Sequence, residues 1–332
     1  MKIRVYFKYI FIKKNEVYKL RFKKSYIKCI LNTLLLKKMK RINYTLKERG
    51  IKMVLVKENI KHKKYEELKR LRADLDIVIN GIDNYPIDDR PIYLIANHSS
   101  LMDIFYLAMS TTESTVMIVS NRVVYKNILD RKQMIDKYLY TLPIEVASKN
   151  YSDISLNAAV KILYQGINMG IFPEGVYNDK NSVTRGRTGA ARILFETCKY
   201  GVMPHLIPVA IDVKTNDPNL DRYKACKEDK IEVNILEPVN YNYLLHEYLR
   251  CDNFSEKNVI LHEVMDMGMK NIADALDIPF TGKYKEAIPK NNILFEDGTT
   301  ISLNEACMYQ NINRFKIEIE NRTNHLVKTL KK

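Results

Sequence analysis

A histidine and an aspartate five positions apart are the first groups in this chain whose types and spacing could do chemistry. They are His98 and Asp103, within the stretch IANHSSLMD at 95–103. On one continuous helix they would point about 140° apart and could not meet. If Ser100 caps a helix and Asp103 lies in its first turn, His98 precedes the helix and folds back toward the carboxylate. That contact would fix the ring tautomer and leave the other nitrogen to accept a proton, as a general base does.

A structural explanation competes with this catalytic one. Ser100 and Asp103 have the spacing of a helix capping box, and a single histidine near a strand end is usually structural. Capping accounts for Ser100 and Asp103 but not for Asn97 and His98. Both interpretations stay open on this segment alone.

A glutamate between a proline and a glycine forms a second candidate site, at Phe172-Pro173-Glu174-Gly175. Proline fixes its φ angle and glycine permits a left-handed or crowded backbone, so the turn would aim the glutamate rigidly. An ordinary strand-ending turn with an exposed glutamate is the alternative. Both corners follow predicted strands of one sheet, and ligands bind at the carboxyl ends of such strands. We therefore expect Glu174 to share a cleft with His98.

Three cations near these corners could neutralise a phosphate. Arg185 and Arg187 precede a predicted helix at 188–199, where open backbone amides favour an anion. Lys149 follows the predicted strand at 142–146. Each alone is more typical of a solvated surface charge, but together with the two corners they favour a phosphorylated ligand.

Apolar runs alternate with helical patterns from 91 onward, which predicts an α/β fold with a central, largely parallel sheet flanked by helices. Strands are predicted at 91–97, 115–121, 142–146, 168–173, 205–213 and 230–236, and helices at 101–109, 124–139, 153–165, 188–199, 241–249 and 256–275. We expect three regions: a basic, partly amphipathic helical N-terminal segment at 1–80, a main domain at 91–280, and a small C-terminal appendage at 281–332. The appendage should contain a hairpin with its turn at Asp297-Gly298 and a charged helix.

The charge balance bounds the class of partner. The chain has 332 residues and a formal net charge of +15, which attracts polyanions such as nucleic acid or an anionic membrane surface. Near the N-terminus an apolar stripe at helical spacing is flanked by lysines; it comprises Ile27, Ile30, Leu31, Leu34 and Leu35. A basic amphipathic helix of this kind can lie in a membrane interface, although packing on a core is its commoner use. Nucleic acid is disfavoured because no reader motif is recognisable.

Cysteine usage and hydropathy indicate the compartment. The five cysteines are scattered and never form a C-x-x-C pair, which is typical of reduced thiols in a cytosolic protein. No run reaches the ~18 apolar residues of a spanning helix, and the N-terminus lacks the pattern of a signal peptide. The histidines show no zinc-site spacing, so no metal is expected.

Taken together, these segments resemble the PlsC-type glycerolipid acyltransferases, which include the 1-acyl-glycerol-3-phosphate acyltransferases. The family's first block, N-H-x-x-x-x-D, is matched at 97–103, and its F-P-E-G block at 172–175. An apolar strand with an internal proline at 207–211 and the sequence LEPV at 236–239 are similar to its later features. There are two departures: Val-Tyr-Asn at 176–178 replaces the usual Thr-Arg-Ser, and the second block is faint, with Lys149 about where its arginine would be.

The resemblance implies acyl transfer from a thioester, acyl-CoA or acyl carrier protein, to the hydroxyl of a lysophospholipid such as 1-acyl-glycerol-3-phosphate, in phospholipid biosynthesis. His98 would be the general base and Asp103 its charge partner, with no acyl-enzyme and no cofactor. Substrate binding is expected of Asn97, Ser100, Phe172, Pro173, Glu174, Gly175, Arg187, Arg185 and Lys149. The protein would be cytoplasmic and peripherally bound to the anionic inner face of the cell membrane, without a nucleic-acid partner.

Three other functions remain alternatives. An acyl-thioester hydrolase would use the same pair on water and release free fatty acid without an acceptor. A basic nucleic-acid-binding protein would bind duplex with a steep salt dependence. A catalytically inactive lipid-binding module would be indifferent to loss of His98.

Overall fold

The structure is a computed structural model, and it falls into two units, Met1–Ile60 and Lys61–Lys332. It describes residues 6–13, 16–23, 52–54, 63–100, 102–120, 135–144, 149–178, 181–214, 230–284, 292–294, 300–302 and 312–331.

The first unit contains an antiparallel sheet. Its strands are β1 (Tyr6–Lys13), β2 (Glu16–Lys23) and β3 (Lys52–Val54), in the order β2-β1-β3. β1 and β2 pair along their whole length. A partly helical segment was predicted here; residues 6–23 are strands instead, because they are rich in the aromatic and β-branched residues that favour strands. The apolar stripe from Ile27 to Leu35 lies outside the described residues.

The second unit is built on a seven-stranded sheet. Its strands are β4 (Ile77–Asn80), β5 (Ile92–Ala96), β6 (Val116–Ser120), β7 (Tyr140–Ile144), β8 (Met169–Ile171), β9 (His205–Lys214) and β10 (Lys230–Ile235). Their order is β4-β10-β9-β5-β8-β6-β7. Every neighbouring pair is parallel except β9 and β10. The predicted α/β fold with a largely parallel sheet is confirmed.

Helices cover both faces of this sheet. They are α1 (Lys63–Ala73), α2 (Asp103–Met109), α3 (Lys149–Tyr164), α4 (Thr188–Lys199), α5 (Asn242–Arg250), α6 (Phe254–Leu276) and α7 (Ile312–Leu330). Side chains alternate between the faces of a strand. Tyr93 and Ile95 of β5 therefore enter the core beneath α3 to α7, while Leu94 and Ala96 enter the core beneath α1 and α2. Burial on both faces is typical of parallel sheets and explains the continuous apolar runs.

The predicted start of the main domain at 91 is too late. β4 pairs in parallel with β10 and is an edge strand of the same sheet, and α1 contributes the buried Leu68 to the core. The four-residue strand was missed because polar turn residues surround it between 73 and 90.

The predicted C-terminal appendage is wrong for its helix. α7 buries Phe315, Ile319 and Leu326 in the main core. Arg322 of this helix also donates two hydrogen bonds to Thr141 of β7, at 2.8 Å to the carbonyl and 2.7 Å to the hydroxyl. The helix is part of the second unit because its apolar face covers the sheet. The predicted hairpin is present as β11 (Asn292–Leu294) and β12 (Thr300–Ser302), and its turn lies outside the described residues.

Strand order decides where the site is formed. β5 and β8 are parallel neighbours, with Ile95 opposite Ile171. The chain segments that follow them, 97–103 and 172–175, therefore leave the sheet side by side at its carboxyl edge.

Among the helices of the described residues, none combines the length and the apolar character needed to cross a membrane.

Candidate active site

The His98 ring and the Asp103 carboxylate are in contact. His98 Nδ1 lies 3.2 Å from Asp103 Oδ2, and the side chain of Asp103 is fully buried whereas that of His98 is 16% exposed. α2 begins at Asp103, with Met102 rather than Ser100 in the capping position, so His98 lies in the turn before the helix as predicted. A carboxylate at Nδ1 selects the tautomer with the proton on that nitrogen. The acceptor is then Nε2, which has no hydrogen-bond partner among the described residues.

Backbone amides also hold the buried Asp103 carboxylate. The N–H groups of Ser99 and Ser100 donate to Oδ2 at 2.6 and 2.7 Å, and the Ser100 hydroxyl donates to Oδ1 at 2.8 Å. A buried charge needs such partners because desolvation is costly. The same carboxylate oxygen therefore accepts from the backbone of the turn and contacts the histidine. Ser100 was predicted to bind substrate, but the structure uses its hydroxyl to orient Asp103.

Two aromatic rings hold the imidazole of His98. Phe172 stacks on it, with ring centroids 4.0 Å apart and planes 15° apart. Tyr177 packs against it at 4.4 Å with a 54° tilt. The predicted substrate-binding residue Phe172 thus orients the histidine ring, while the sequence did not single out Tyr177.

The Glu174 carboxylate is buried against the backbone of His98. Its Oε1 accepts from the His98 N–H at 3.2 Å, and its Oε2 accepts from Asn178 Nδ2 at 2.7 Å and from the Thr184 hydroxyl at 2.6 Å. Burial raises the pKa of Glu174, and these hydrogen bonds oppose that rise. The prediction that Glu174 and His98 share one cleft is confirmed. Protein donors engage both oxygens of this carboxylate, and its predicted role in substrate binding stays a prediction.

The turn that carries Glu174 is closed by Arg187. The Arg187 N–H donates to the Pro173 carbonyl at 2.7 Å, and its Nε donates to the Glu174 carbonyl at 3.3 Å. Gly175 has a φ of 71°, and a Cβ there would lie 2.9 Å from Arg187 Nε. Gly175 is therefore required by its left-handed backbone and by the nearness of the arginine.

Asn97 has a structural position. Its Nδ2 donates to the Ile211 carbonyl at 2.9 Å, and its Oδ1 accepts from the Ile211 N–H at 2.8 Å. The side chain thus continues the hydrogen bonding between β5 and β9 beyond the end of β5. Asn97 was predicted to bind substrate, but both ends of its amide are occupied by the backbone of β9.

One of the predicted phosphate ligands, Arg185, is placed differently from expectation. Arg185 forms a bidentate ion pair with Asp266 of α6, at 3.0 and 2.6 Å, and lines a separate pocket beside His262. Its guanidinium is therefore held away from His98 by a carboxylate 81 positions along the chain. Lys149 is the first residue of α3, and its side chain lies outside the described part of the chain.

An apolar pocket opens beside His98. It has a volume of about 480 Å³, and its apolar lining includes Ile104, Ile118, Ile135, Ile144, Leu156 and Ile171. His98, Pro173, Gly175 and Arg187 also line it, and so does Arg192, which pairs with Asp153 at 3.0 Å. A pocket of this size with an apolar wall and few polar groups is typical of a small-molecule site. A hydrocarbon chain could be buried here with its polar end near His98 and the arginines.

A smaller polar pocket of about 50 Å³ is also lined by this histidine. His98, Glu174, Asn178 and Asp212 contribute to its wall. His98 therefore lines both a large apolar cavity and a small polar one. Within the described ranges, no cluster of histidine, cysteine, aspartate and glutamate is arranged to hold a metal ion. That the reaction needs no metal or cofactor stays a prediction.

Several residues of the site were not identified from the sequence. Tyr177 and Asn178 lie where the chain departs from the family pattern, so the departure itself was the available signal. Thr184 lies in a loop without periodicity, and no signal marked it. Arg192 follows Arg187 by five positions in an ordinary amphipathic helix, and no motif distinguished it.

The comparison with family models agrees with the predicted class. Residues 59–212 match the family model described as Acyltransferase, and this range contains both corners. Among solved structures, the chain is similar to the crystal structure of the 1-acyl-sn-glycerophosphate acyltransferase PlsC from Thermotoga maritima. That match has a TM-score of 0.41 and 20% sequence identity, and it covers 73% of this chain and 97% of that one. No curated relative matches the chain in sequence.

Proposed function

We propose that this chain, whose residues 59–212 match the Acyltransferase family model, transfers a fatty acyl group from a thioester to the hydroxyl of a lysophospholipid, such as 1-acyl-glycerol-3-phosphate, in phospholipid biosynthesis. The thioester is acyl-CoA or acyl carrier protein. One observation carries this proposal: the His98–Asp103 pair lies at an apolar pocket large enough for a hydrocarbon chain.

The proposed mechanism is direct transfer with general-base assistance. His98 Nε2 takes the proton of the acceptor hydroxyl as its oxygen attacks the thioester carbonyl carbon. The carbon–sulfur bond then breaks, and the imidazolium returns the proton to the departing thiolate. Asp103 stabilises the imidazolium through Nδ1, and its own burial and three further donors keep it in place. General-base assistance of this kind typically contributes 10²–10⁴-fold in rate.

The surroundings of His98 offer contacts suited to both substrates. Ile118, Ile144 and Leu156 supply the apolar wall that an acyl chain requires. Arg187 precedes the first turn of α4 and lines the same pocket. An arginine beside the open amides of a helix N-terminus suits a phosphate group. We therefore assign the acceptor's phosphate to Arg187, with Lys149 as a further cation.

The proposed acceptor and product are membrane lipids, so the enzyme must reach a membrane surface. The basic N-terminal segment at 1–80 carries the charge that such a surface attracts. We propose that it binds the anionic inner face of the cell membrane, making the protein a peripheral cytoplasmic enzyme. Reversing the charge of Lys24, Lys28, Lys37 and Lys38 in the full chain should abolish salt-sensitive binding to anionic vesicles. Undiminished binding by this variant would refute the idea.

Incubation of the purified protein with radiolabelled acyl donors and a panel of lyso-lipids tests the proposed reaction. Thin-layer chromatography should show a labelled diacyl phospholipid only when donor and lyso-lipid are both present. Donors carried on CoA and on acyl carrier protein are supplied separately, so the preferred carrier is read from the same plate. Release of labelled free fatty acid without an acceptor would instead identify a thioester hydrolase.

A further inference from the structure

The carboxylate of Glu174 is hydrogen-bonded to the backbone of His98 and not to its ring. It accepts the His98 N–H on one oxygen, and the Asn178 amide and the Thr184 hydroxyl on the other. Only 3% of the residue is exposed. A buried carboxylate with three donors is a fixed structural element, because losing any donor would leave part of its charge uncompensated.

Asn178 holds the other polar group of the His98 backbone. Its N–H donates to the His98 carbonyl at 2.6 Å, while its side chain donates to Glu174 and to the Ser182 carbonyl at 2.7 and 2.9 Å. His98 lies beyond the end of β5, so neither of its backbone groups belongs to the sheet's hydrogen-bonding ladder. Both are instead held by the corner that follows β8.

We propose that Glu174 is a positioning residue for His98, and that Asn178 and Thr184 form with it a brace that sets the place of the catalytic base. The brace is defined as these three side chains. This assignment rests on the proposed function, since it concerns the same histidine. It differs from the substrate-binding role expected for Glu174 from the sequence resemblance.

The brace acts on the backbone of His98, whereas Asp103 and Phe172 act on its ring. The ring can reach the acceptor hydroxyl correctly only if both are in place. A misplacement of about 1 Å in a reacting group can cost ~10²-fold in rate. Weakening the brace should therefore lower kcat and leave the binding of both substrates nearly unchanged.

Thr184 allows this idea to be tested without touching substrate. It is buried, its hydroxyl donates to Glu174, and it lines neither of the two pockets beside His98. Thr184→Val removes the hydroxyl with almost no change of shape, and Thr184→Ser retains it. Thr197→Val is the matched control, because Thr197 is also buried and its hydroxyl bonds only to the Ile193 carbonyl within α4.

Kinetics of the full-length variants are the first measurement. Thr184→Val should lower kcat by about 10-fold and change KM for either substrate by no more than about two-fold, within the cost of a small misplacement. Thr184→Ser and Thr197→Val should keep kcat near that of the wild type. An unchanged kcat in Thr184→Val would overturn the brace. A raised KM for the acceptor with unchanged kcat would also overturn it, in favour of a substrate-binding Glu174.

Hydrogen exchange of the His98 amide, followed by NMR, is the second measurement and needs no activity. The amide should be protected in the wild type and in Thr197→Val, and should exchange faster in Thr184→Val. An unprotected His98 amide in the wild type would contradict the brace whatever the variants do. If the protein transferred no acyl group at all, the proposed function would fail, while the exchange data would still decide whether the brace exists.

Discussion

The imidazole of His98 and the carboxylate of Asp103 face each other at 3.2 Å although five positions separate them in the chain. The contact forms because α2 begins at Asp103, so the chain turns between the two residues. The same turn brings the N–H groups of Ser99 and Ser100 onto the carboxylate. A short turn thus supplies the histidine, its charge partner and the donors that make a buried carboxylate tolerable.

Removing the imidazole should abolish catalysis without unfolding the protein. His98→Ala should lower kcat for acyl transfer by at least about 10²-fold, because the general base is lost. The melting temperature should stay close to that of the wild type, since the side chain is partly exposed. His246→Ala, which removes an exposed histidine of α5, is the matched control and should retain activity. Near-normal transfer by His98→Ala would refute the proposed base.

Arg187→Ala should weaken binding of the phosphorylated acceptor. A hydrogen bond to a charged group contributes about 1.5–3 kcal/mol, so KM for a lysophospholipid phosphate should rise by about 10-fold or more while KM for the acyl donor stays the same. An acceptor without the phosphate should show little difference between variant and wild type. Lys199→Ala removes a cation from the far end of α4 and serves as the control. Equal effects of Arg187→Ala on donor and acceptor would contradict the phosphate assignment.

Narrowing the apolar pocket should change the preferred acyl length. Ile118 of β6 lines the pocket, so Ile118→Phe should shift the preference toward shorter acyl chains. Ile118→Val, which widens the same position, should not produce that shift. Because the larger ring can enter the cavity, Ile118→Phe should lower the free energy of unfolding by less than the ~1–3 kcal/mol typical of overpacking. Competition between acyl donors of different length measures the preference, and urea unfolding measures the stability. An unchanged chain-length profile would place the acyl chain elsewhere.

The buried carboxyl of Glu174 should make folding stability depend on pH. Burial raises the pKa of Glu174 in the folded protein above the ordinary 4.5. At pH values between 4.5 and this folded pKa, the folded protein therefore binds more protons than the unfolded chain. The contribution of Glu174 to stability is therefore present below pH 4.5 and is lost as the pH rises through the folded pKa. Glu174→Gln removes this dependence, since its amide does not titrate.

Urea unfolding of the wild type and of Glu174→Gln at a series of pH values from 4.5 to 7 measures this effect. The free energy of unfolding of the wild type minus that of the variant should decrease as the pH rises. Taking the difference cancels the titration of the other carboxyl groups. A difference that stays constant or grows would show that the folded pKa of Glu174 is not raised.

The sequence alone determined the described strands and helices between 91 and 280 and the two corners, because both depend on neighbours in the chain. Most of the helix predicted at 124–139 lies outside the described residues. Apolar periodicity sets the strands and helices, and the turn chemistry of 97–103 and 172–175 is local. The sequence-based prediction missed β4, which is short and surrounded by polar turns. It also assigned α7 to an appendage, because the packing of that helix on the sheet depends on distant residues.

Only the tertiary structure decided which side chains face the pocket and which hold the protein together. Arg185 and Arg187 look equivalent in sequence, yet Asp266 from α6 captures the first and the second lines the apolar pocket. Asn97 is held by Ile211, a partner 114 positions away. Such partners are chosen by strand order and burial, since a buried polar group must find its donor or acceptor wherever the fold brings one near.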